Sequence, residues 1–355
     1  MDDEKVSLDH LFESRRAFVD DLFESRRASE KMQEKIMKCK EFVGDALMEM
    51  EQEATLEYYN VDSMLKAYED HIAALKNNKF ILGIPAIDKI IRGVNAGEVL
   101  TIIARAGSYK TTLLQNLLKK YVNSSAWGSI FFSLEMPVAS VTERFGSMVS
   151  KFSGSDIESM WKQDNNYRAG IEKQMKEELK NLFVVEKKIS VEEIKVYLKH
   201  IQEKEQVKIG LIGIDYLGLL TEEGFSEYQT VSKISKDVKL LAKEIGLPIV
   251  MLCQTNRQGE DGTTPISLSM ARGSGAIEES ADFILGLYQT EETSDAIIVE
   301  PSKLICAILK NRKGPAGRSF SLDLEPETFT IGSDTMEYEK PKPIKKGRLT
   351  KENTK

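Results

Sequence analysis

The chain has 355 residues, enough for one large domain with an appendage or for two modest domains, and its 41% hydrophobic and 30% charged residues exclude a fibrous or wholly disordered protein. A formal net charge of -7 excludes a surface coated in positive potential, so any nucleic acid must be held in a local groove or pore. Cys39, Cys253 and Cys306 share no ligand spacing with His10, His71 and His200, which argues against disulfides and structural zinc; no run reaches membrane-spanning length, and the acidic "MDDEKVSLDH" is no secretory signal, so a cytoplasmic protein without a membrane partner is expected.

Residues 1–78 contain no proline and read as a helical extension, with Leu8, Leu11, Phe12, Phe18, Val19, Leu22 and Phe23 recurring at three- and four-residue steps. "LFESRRA" occurs twice, at 11–17 and 22–28. An offset of eleven is three helical turns with a small residual, so both copies put Leu and Phe on one stripe. The stripe could cover neighbouring parts of the same helix or dock onto another subunit, and the sequence leaves both open.

From residue 79 to 336 the pattern becomes short apolar runs alternating with amphipathic stretches. "EVLTIIA", "SIFFSLE", "LFVVE", "IGLIGID" and "LPIVMLCQ" are strands separated by helical segments, predicting an α/β fold with a parallel sheet and crossover helices. "FILGLYQ", "LICAILKNR" and "SFSLDLE" follow closely, so the sheet should end in antiparallel hairpins. The tail 337–355 carries seven Lys or Arg against three Glu and is expected to be disordered.

"ARAGSYKTT" (104–112) joins a strand to an amphipathic helix, the setting that a phosphate-binding Walker A loop requires. Its residues, Ala104, Arg105, Ala106, Gly107, Ser108, Tyr109, Lys110, Thr111 and Thr112, are the candidate nucleotide cradle. Successive amides would take phosphate, Lys110 would reach the outer phosphates, and Thr111 would ligate magnesium. Tyr109 stands where the consensus has glycine. Either Gly107 supplies the missing backbone freedom with the tyrosine ring turned outward, or the loop is degenerate and binds weakly.

Downstream, "LIGIDYLGLL" puts Asp215 at the carboxyl end of a strand, where a Walker B aspartate holds magnesium through water. "SIFFSLEM" ends in Glu135, suited to orienting an attacking water or merely capping a helix. "MLCQTNRQ" ends in Gln254, which fits a γ-phosphate sensor or an ordinary polar strand end.

With these motifs in order, the region from about Gly83 to Ile331 resembles the RecA-type motor domain of DnaB-family replicative helicases. "LGIPAIDKIIRGVNAGE" resembles the family's lead-in to the first core strand. "SMARGSGAIEESADFILGLY" resembles a later signature, and "LKNRKGPAG" the late Lys-x-Arg-x-Gly-Pro hairpin. The resemblance implies a RecA-like mostly parallel sheet flanked by helices, with ATP and Mg2+ as cofactors. It makes Glu135 the catalytic carboxylate, Thr111 and Asp215 the metal ligands, and Gln254 the sensor. Lys310 and Arg312 become a pair acting in trans on the neighbouring subunit's nucleotide, where a planar guanidinium can hold two phosphate oxygens. The stretch from Asn256 to Gly275 becomes a pore loop on single-stranded DNA, with Arg257, Arg272, Gly273 and Gly275 as contacts, or simply a flexible surface loop.

The reading is an ATP-dependent, ring-shaped DNA helicase, hexameric by the family's habit, translocating on single-stranded DNA during replication. The alternative is a RecA-fold ATPase or a catalytically weak loading factor that binds DNA or a helicase without unwinding. A primase or loader is an open partner, because the roughly 80 residues before the motor are too few for the family's usual N-terminal domain and linker.

Overall fold

The computed structural model describes residues 16, 31–35, 37–38, 59–163, 166–215, 218, 227–255, 265–271, 274–290, 293–295, 298–300 and 303–338. The paired "LFESRRA" segments, apart from Arg16, and the tail beyond residue 338 lie outside them. The chain divides into two compact units, Met1–His71 and Ile72–Lys355.

Helix α1 (Val61–Asn78) starts where the Asn60 carboxamide accepts from the Ser63 amide at 2.9 Å, a side-chain cap for an otherwise orphan donor. Val61, Met64, Leu65 and Tyr68 recur at helical spacing and all stay exposed. The chain then forms β1 (Lys79–Phe80), α2 (Pro85–Ile91) and β2 (Val94–Asn95), with β1 and β2 paired antiparallel.

Next come β3 (Val99–Ala104), α3 (Lys110–Ser124), β4 (Gly128–Ser133), α4 (Val138–Ser150), α5 (Gly154–Gln163), α6 (Asn166–Glu178) and β5 (Leu182–Val185). They are followed by α7 (Val191–Glu205), β6 (Ile209–Asp215), α8 (Glu227–Ile245), β7 (Ile249–Gln254), a 3-10 turn (Leu268–Met270), α9 (Ser274–Ser280) and β8 (Phe283–Gln289). A hairpin of β9 (Thr293–Asp295) and β10 (Ile298–Glu300) precedes β11 (Leu304–Asn311), β12 (Ser319–Glu325) and β13 (Thr330–Glu337).

Nine strands make one sheet in the order β13-β12-β11-β8-β3-β7-β6-β4-β5. The six from β8 to β5 are parallel, and β11, β12 and β13 add on antiparallel, as the close spacing of the late strands predicts. β13 escaped the sequence reading.

Parallel strands covered on both faces read as continuous apolar runs, and β3, β4 and β6 are buried along their whole length. Alternate side chains of β3 serve opposite faces. Val99 and Ile103 join one buried cluster with α7 and α8, while Leu100 and Ile102 join the other with α2, α3 and α4. Helix α3 comes close to β6 because "IGLIGID" has glycines beneath it: a Cβ on Gly213 would stand 3.1 Å from Leu114 and Leu118. That approach sets the height of the helix N-terminus, and with it the loop leading in, above the carboxyl edge of the sheet.

Candidate active site

At that edge β3 ends in the turn 105–109 and α3 begins. Two residues of the turn take left-handed backbone, Gly107 at φ 76° and Tyr109 at φ 58°, ψ 21°. Tyr109 thus keeps the conformation for which the consensus uses glycine, at a cost of about 1–2 kcal/mol for a residue with a Cβ. Its ring is not turned outward, contrary to expectation. It lies half-buried against the apolar cluster beneath α3 and lines the cavity above the loop, and that burial offsets the backbone strain.

Among the described residues other than its chain neighbours, nothing lies within 4 Å of where a Gly107 Cβ would stand, so the loop is open there. No acidic residue occupies the first turn of α3, and Tyr109 caps it without a side-chain hydrogen bond, so no carboxylate from that turn competes for its amides.

A cavity of 320 Å3 is lined by Gly107, Ser108, Tyr109, Lys110, Thr111, Thr112, Glu135, Met136, Arg144 and Phe329. Ala104 ends β3 in the core, and Arg105 and Ala106 lie in the turn before the lining begins. Lys110 Nζ donates to Glu135 Oε2 at 3.3 Å, and the Thr111 hydroxyl donates to Asp215 Oδ2 at 2.6 Å. Loop, strand-end glutamate and strand-end aspartate therefore converge, although more than 100 residues separate Lys110 from Asp215.

Asp215 is fully buried, and its Oδ1 has no hydrogen-bond partner among the described residues. Burial pushes its carboxyl above the ordinary value; Thr111 and Lys110 pull it back, while Glu135 pushes further. A buried carboxylate left with an open oxygen beside a hydroxyl is half of a hard-cation donor set. Among the described residues no cluster of three or more His, Cys, Asp or Glu could hold a metal ion, so a cation here would have to share its coordination with phosphate and water. The chemistry of these residues fits Mg2+ carried by a nucleotide.

Arg144 was missed in the sequence. It projects from the middle of α4 into the cavity, where burial lowers its pKa and the carboxylates of Asp215, Glu143 and Glu135 oppose that shift. Gln254 is adjacent through the backbone, paired with Ala104 at the end of β7, but does not line the cavity.

Lys310 and Arg312 are elsewhere. β11 runs antiparallel to β8, pairing Lys310 with Ile284 and Asn311 with Phe283, which puts both cations at the amino edge of the parallel strands, opposite the cradle. A bulge between Ile308 and Lys310 shifts the register just before them. Lys310 donates to the carbonyls of Glu278 and Ala281 near the end of α9, and its pKa is lowered by burial and by nearby Arg312. Arg312 donates to Asp282 at 2.9 Å while its side chain stays 64% exposed.

The hairpin beyond them is fastened. Lys313 Nζ donates to Gly93 O at 2.9 Å and Glu98 Oε2 at 2.6 Å, and Arg92 donates to Lys313 O at 2.9 Å. Of the candidate DNA contacts, Arg257, Arg272 and Gly273 lie outside the described residues, and Gly275 is exposed on α9.

The DnaB-like helicase C-terminal domain family matches residues 81–330. The replicative DNA helicase DnaB of Mycoplasma pneumoniae is 31% identical over 270 residues, 70% of this chain and 56% of that protein. The protein of the same name from Haemophilus influenzae is 28% identical over 263 residues, 70% of this chain and 55% of that one. The chain thus spans about half the length of these relatives.

Among solved structures, one described as an ATPase domain superposes with a TM-score of 0.66 at 24% identity, covering 78% of this chain and 99% of that one. A DnaB-like replicative helicase, described with its interactions with primase, gives 0.65 at 24% identity, covering 90% and 79%. These likenesses show the fold, a RecA-like mostly parallel sheet flanked by helices.

Proposed function

Because the chain belongs to the DnaB-like helicase C-terminal domain family, we propose that it is the ATP-hydrolysing motor of a ring-shaped DNA helicase, translocating on single-stranded DNA during replication in the cytoplasm. The observation that carries this reading is the meeting of Lys110, Thr111 and Glu135 in one cavity with Asp215 bonded to Thr111 behind it, the second Asp215 oxygen having no hydrogen-bond partner among the described residues.

Amides of the turn and Lys110 hold the phosphates, while Thr111 and Asp215 hold the magnesium ion, which when bound neutralises charge on the phosphate oxygens. Glu135 orients the attacking water, and in binding ATP Lys110 exchanges this carboxylate for phosphate oxygens. Gln254 senses the nucleotide from the neighbouring strand end. Lys310 and Arg312 serve the cradle of an adjacent copy, a role supported by their position at the opposite edge of the sheet. The ring is hexameric in this reading, and the exposed Val61, Met64, Leu65 and Tyr68 stripe of α1 favours assembly. Arg257, Arg272, Gly273 and Gly275 contact the DNA backbone without reading its bases. A primase or loader is an additional partner.

Phosphate release measured with and without single-stranded DNA tests the proposal. DNA should accelerate turnover, and Lys110→Ala should lower it at least about 100-fold. Turnover indifferent to DNA would favour a RecA-fold ATPase acting on proteins. No turnover in the native chain would favour the loading-factor alternative.

A further inference from the structure

We propose that Phe329, at the tip of the β12–β13 hairpin, is the platform on which the base of the bound nucleotide stacks, so that this residue separates nucleotides from bare polyphosphates. The inference rests on the reading of the cavity as a nucleotide site and adds where the nucleoside half lies.

Three observations converge on the ring. Phe329 lines the same cavity as Gly107, Lys110 and Thr112, although more than 200 residues separate it from them. Asn116 ties it there: its Nδ2 donates to both Thr112 O and Phe329 O at 2.8 Å, and its Oδ1 accepts from the Ile331 amide at 3.0 Å. The hairpin tip is therefore bolted to the first turns of the helix whose N-terminal amides face the phosphates. From the other side Lys151 reaches Glu325 at 3.3 Å and Thr330 Oγ1 at 3.0 Å, fastening the tip to the end of α4.

So held, Phe329 keeps a left-handed backbone at φ 52°, a conformation that an aromatic residue adopts only when its surroundings impose it. The constraint holds a large apolar ring that packs against the apolar cluster and at the same time lines the polar cavity. The Arg144 guanidinium carbon lies 4.9 Å from the ring centroid, so a cation takes one face of the ring and a flat group entering the cavity would meet what the cavity exposes of it. A nucleotide has one such group, its base. Stacking accepts any base and favours the larger purine rings.

Mg-ADP and inorganic tripolyphosphate are the probes, titrated calorimetrically into the full chain, Phe329→Ala and Phe329→Trp. Phe329→Ala should weaken ADP about tenfold and leave tripolyphosphate unchanged, and Phe329→Trp should restore ADP binding. Equal weakening of both probes would overturn the platform and leave Phe329 as a support for the phosphate loop. Unchanged ADP affinity in Phe329→Ala would overturn it as well. If the native chain binds tripolyphosphate and ADP with the same affinity, the platform fails while the phosphate site survives; if it binds neither, the nucleotide reading fails with it.

Discussion

Asp215 and Asp282 are both buried carboxylates at ends of core strands, and the chain treats them in opposite ways. Asp282, at the amino edge, is saturated: Oδ2 accepts from the Val99 amide at 2.8 Å and Lys239 at 2.6 Å, and Oδ1 accepts from Arg312. Burial pushes its carboxyl up, yet these hydrogen bonds and the charge of Lys239 bring it below its ordinary value. Asp215, at the carboxyl edge, has one hydroxyl donor and an open oxygen, and stays raised. One end of the sheet uses its aspartate as a fastener. The other end keeps its aspartate under-satisfied, the arrangement expected where a ligand completes the site.

The largest expected effect falls on the exposed arm of the saturated cluster. Arg312→Ala should cut turnover about a thousandfold, as for a trans-acting arginine, while thermal melting stays close to the native value because the side chain is mostly exposed. Mixing it with Lys110→Ala protomers should restore part of the activity, since some interfaces then join an intact cradle to an intact cation pair. Mixtures as inactive as either parent would show that the cations do not act across an interface.

Asp215→Asn should lower turnover about 100-fold or more, yet leave the melting temperature unchanged or higher, since a costly buried charge is removed. Asp282→Asn should do the reverse to stability, costing about 3 kcal/mol by leaving the largely buried Lys239 charge without its carboxylate, with only the Gly97 carbonyl to accept from it. Its pH dependence has a fixed sign. A depressed folded pKa stabilises above the ordinary carboxylate value of about 3.9 and loses that contribution as pH falls below it, so the native-minus-variant difference in urea midpoint should shrink on acidification. If Asp215→Asn destabilises as much as Asp282→Asn, the contrast between the two edges is void.

The smallest effect is expected at Tyr109. Tyr109→Gly relieves backbone strain and loses ring packing, so ADP affinity should change by no more than about 1 kcal/mol, roughly fivefold. A much larger gain would mean that the ring obstructs the cradle.

Much of this was legible in the sequence because apolar runs bounded by turn signals mark buried strands, and the residues ending them, Glu135 and Asp215, fall at the edge where ligands bind. β13 was illegible because "TIGSDTME" alternates too weakly to announce a strand, and only pairing with β12 makes it one. Arg144 and Phe329 could not be singled out either. An arginine within a helix carries no local mark, and Phe329 reaches the cavity because Asn116 and Lys151 hold a distant hairpin beside α3. Nor does a sequence reveal that Tyr109 accepts glycine's dihedral angles, since that depends on apolar side chains elsewhere packing its ring.

The separation of cradle and cations to opposite ends of the strands gives each protomer two unlike poles, which in the proposed assembly can join only head to tail. A row of such protomers with free ends always has one cradle without cations and one cation pair without a cradle. Closing the circle adds a working site without adding a subunit, so the step that seals the row also completes its last engine.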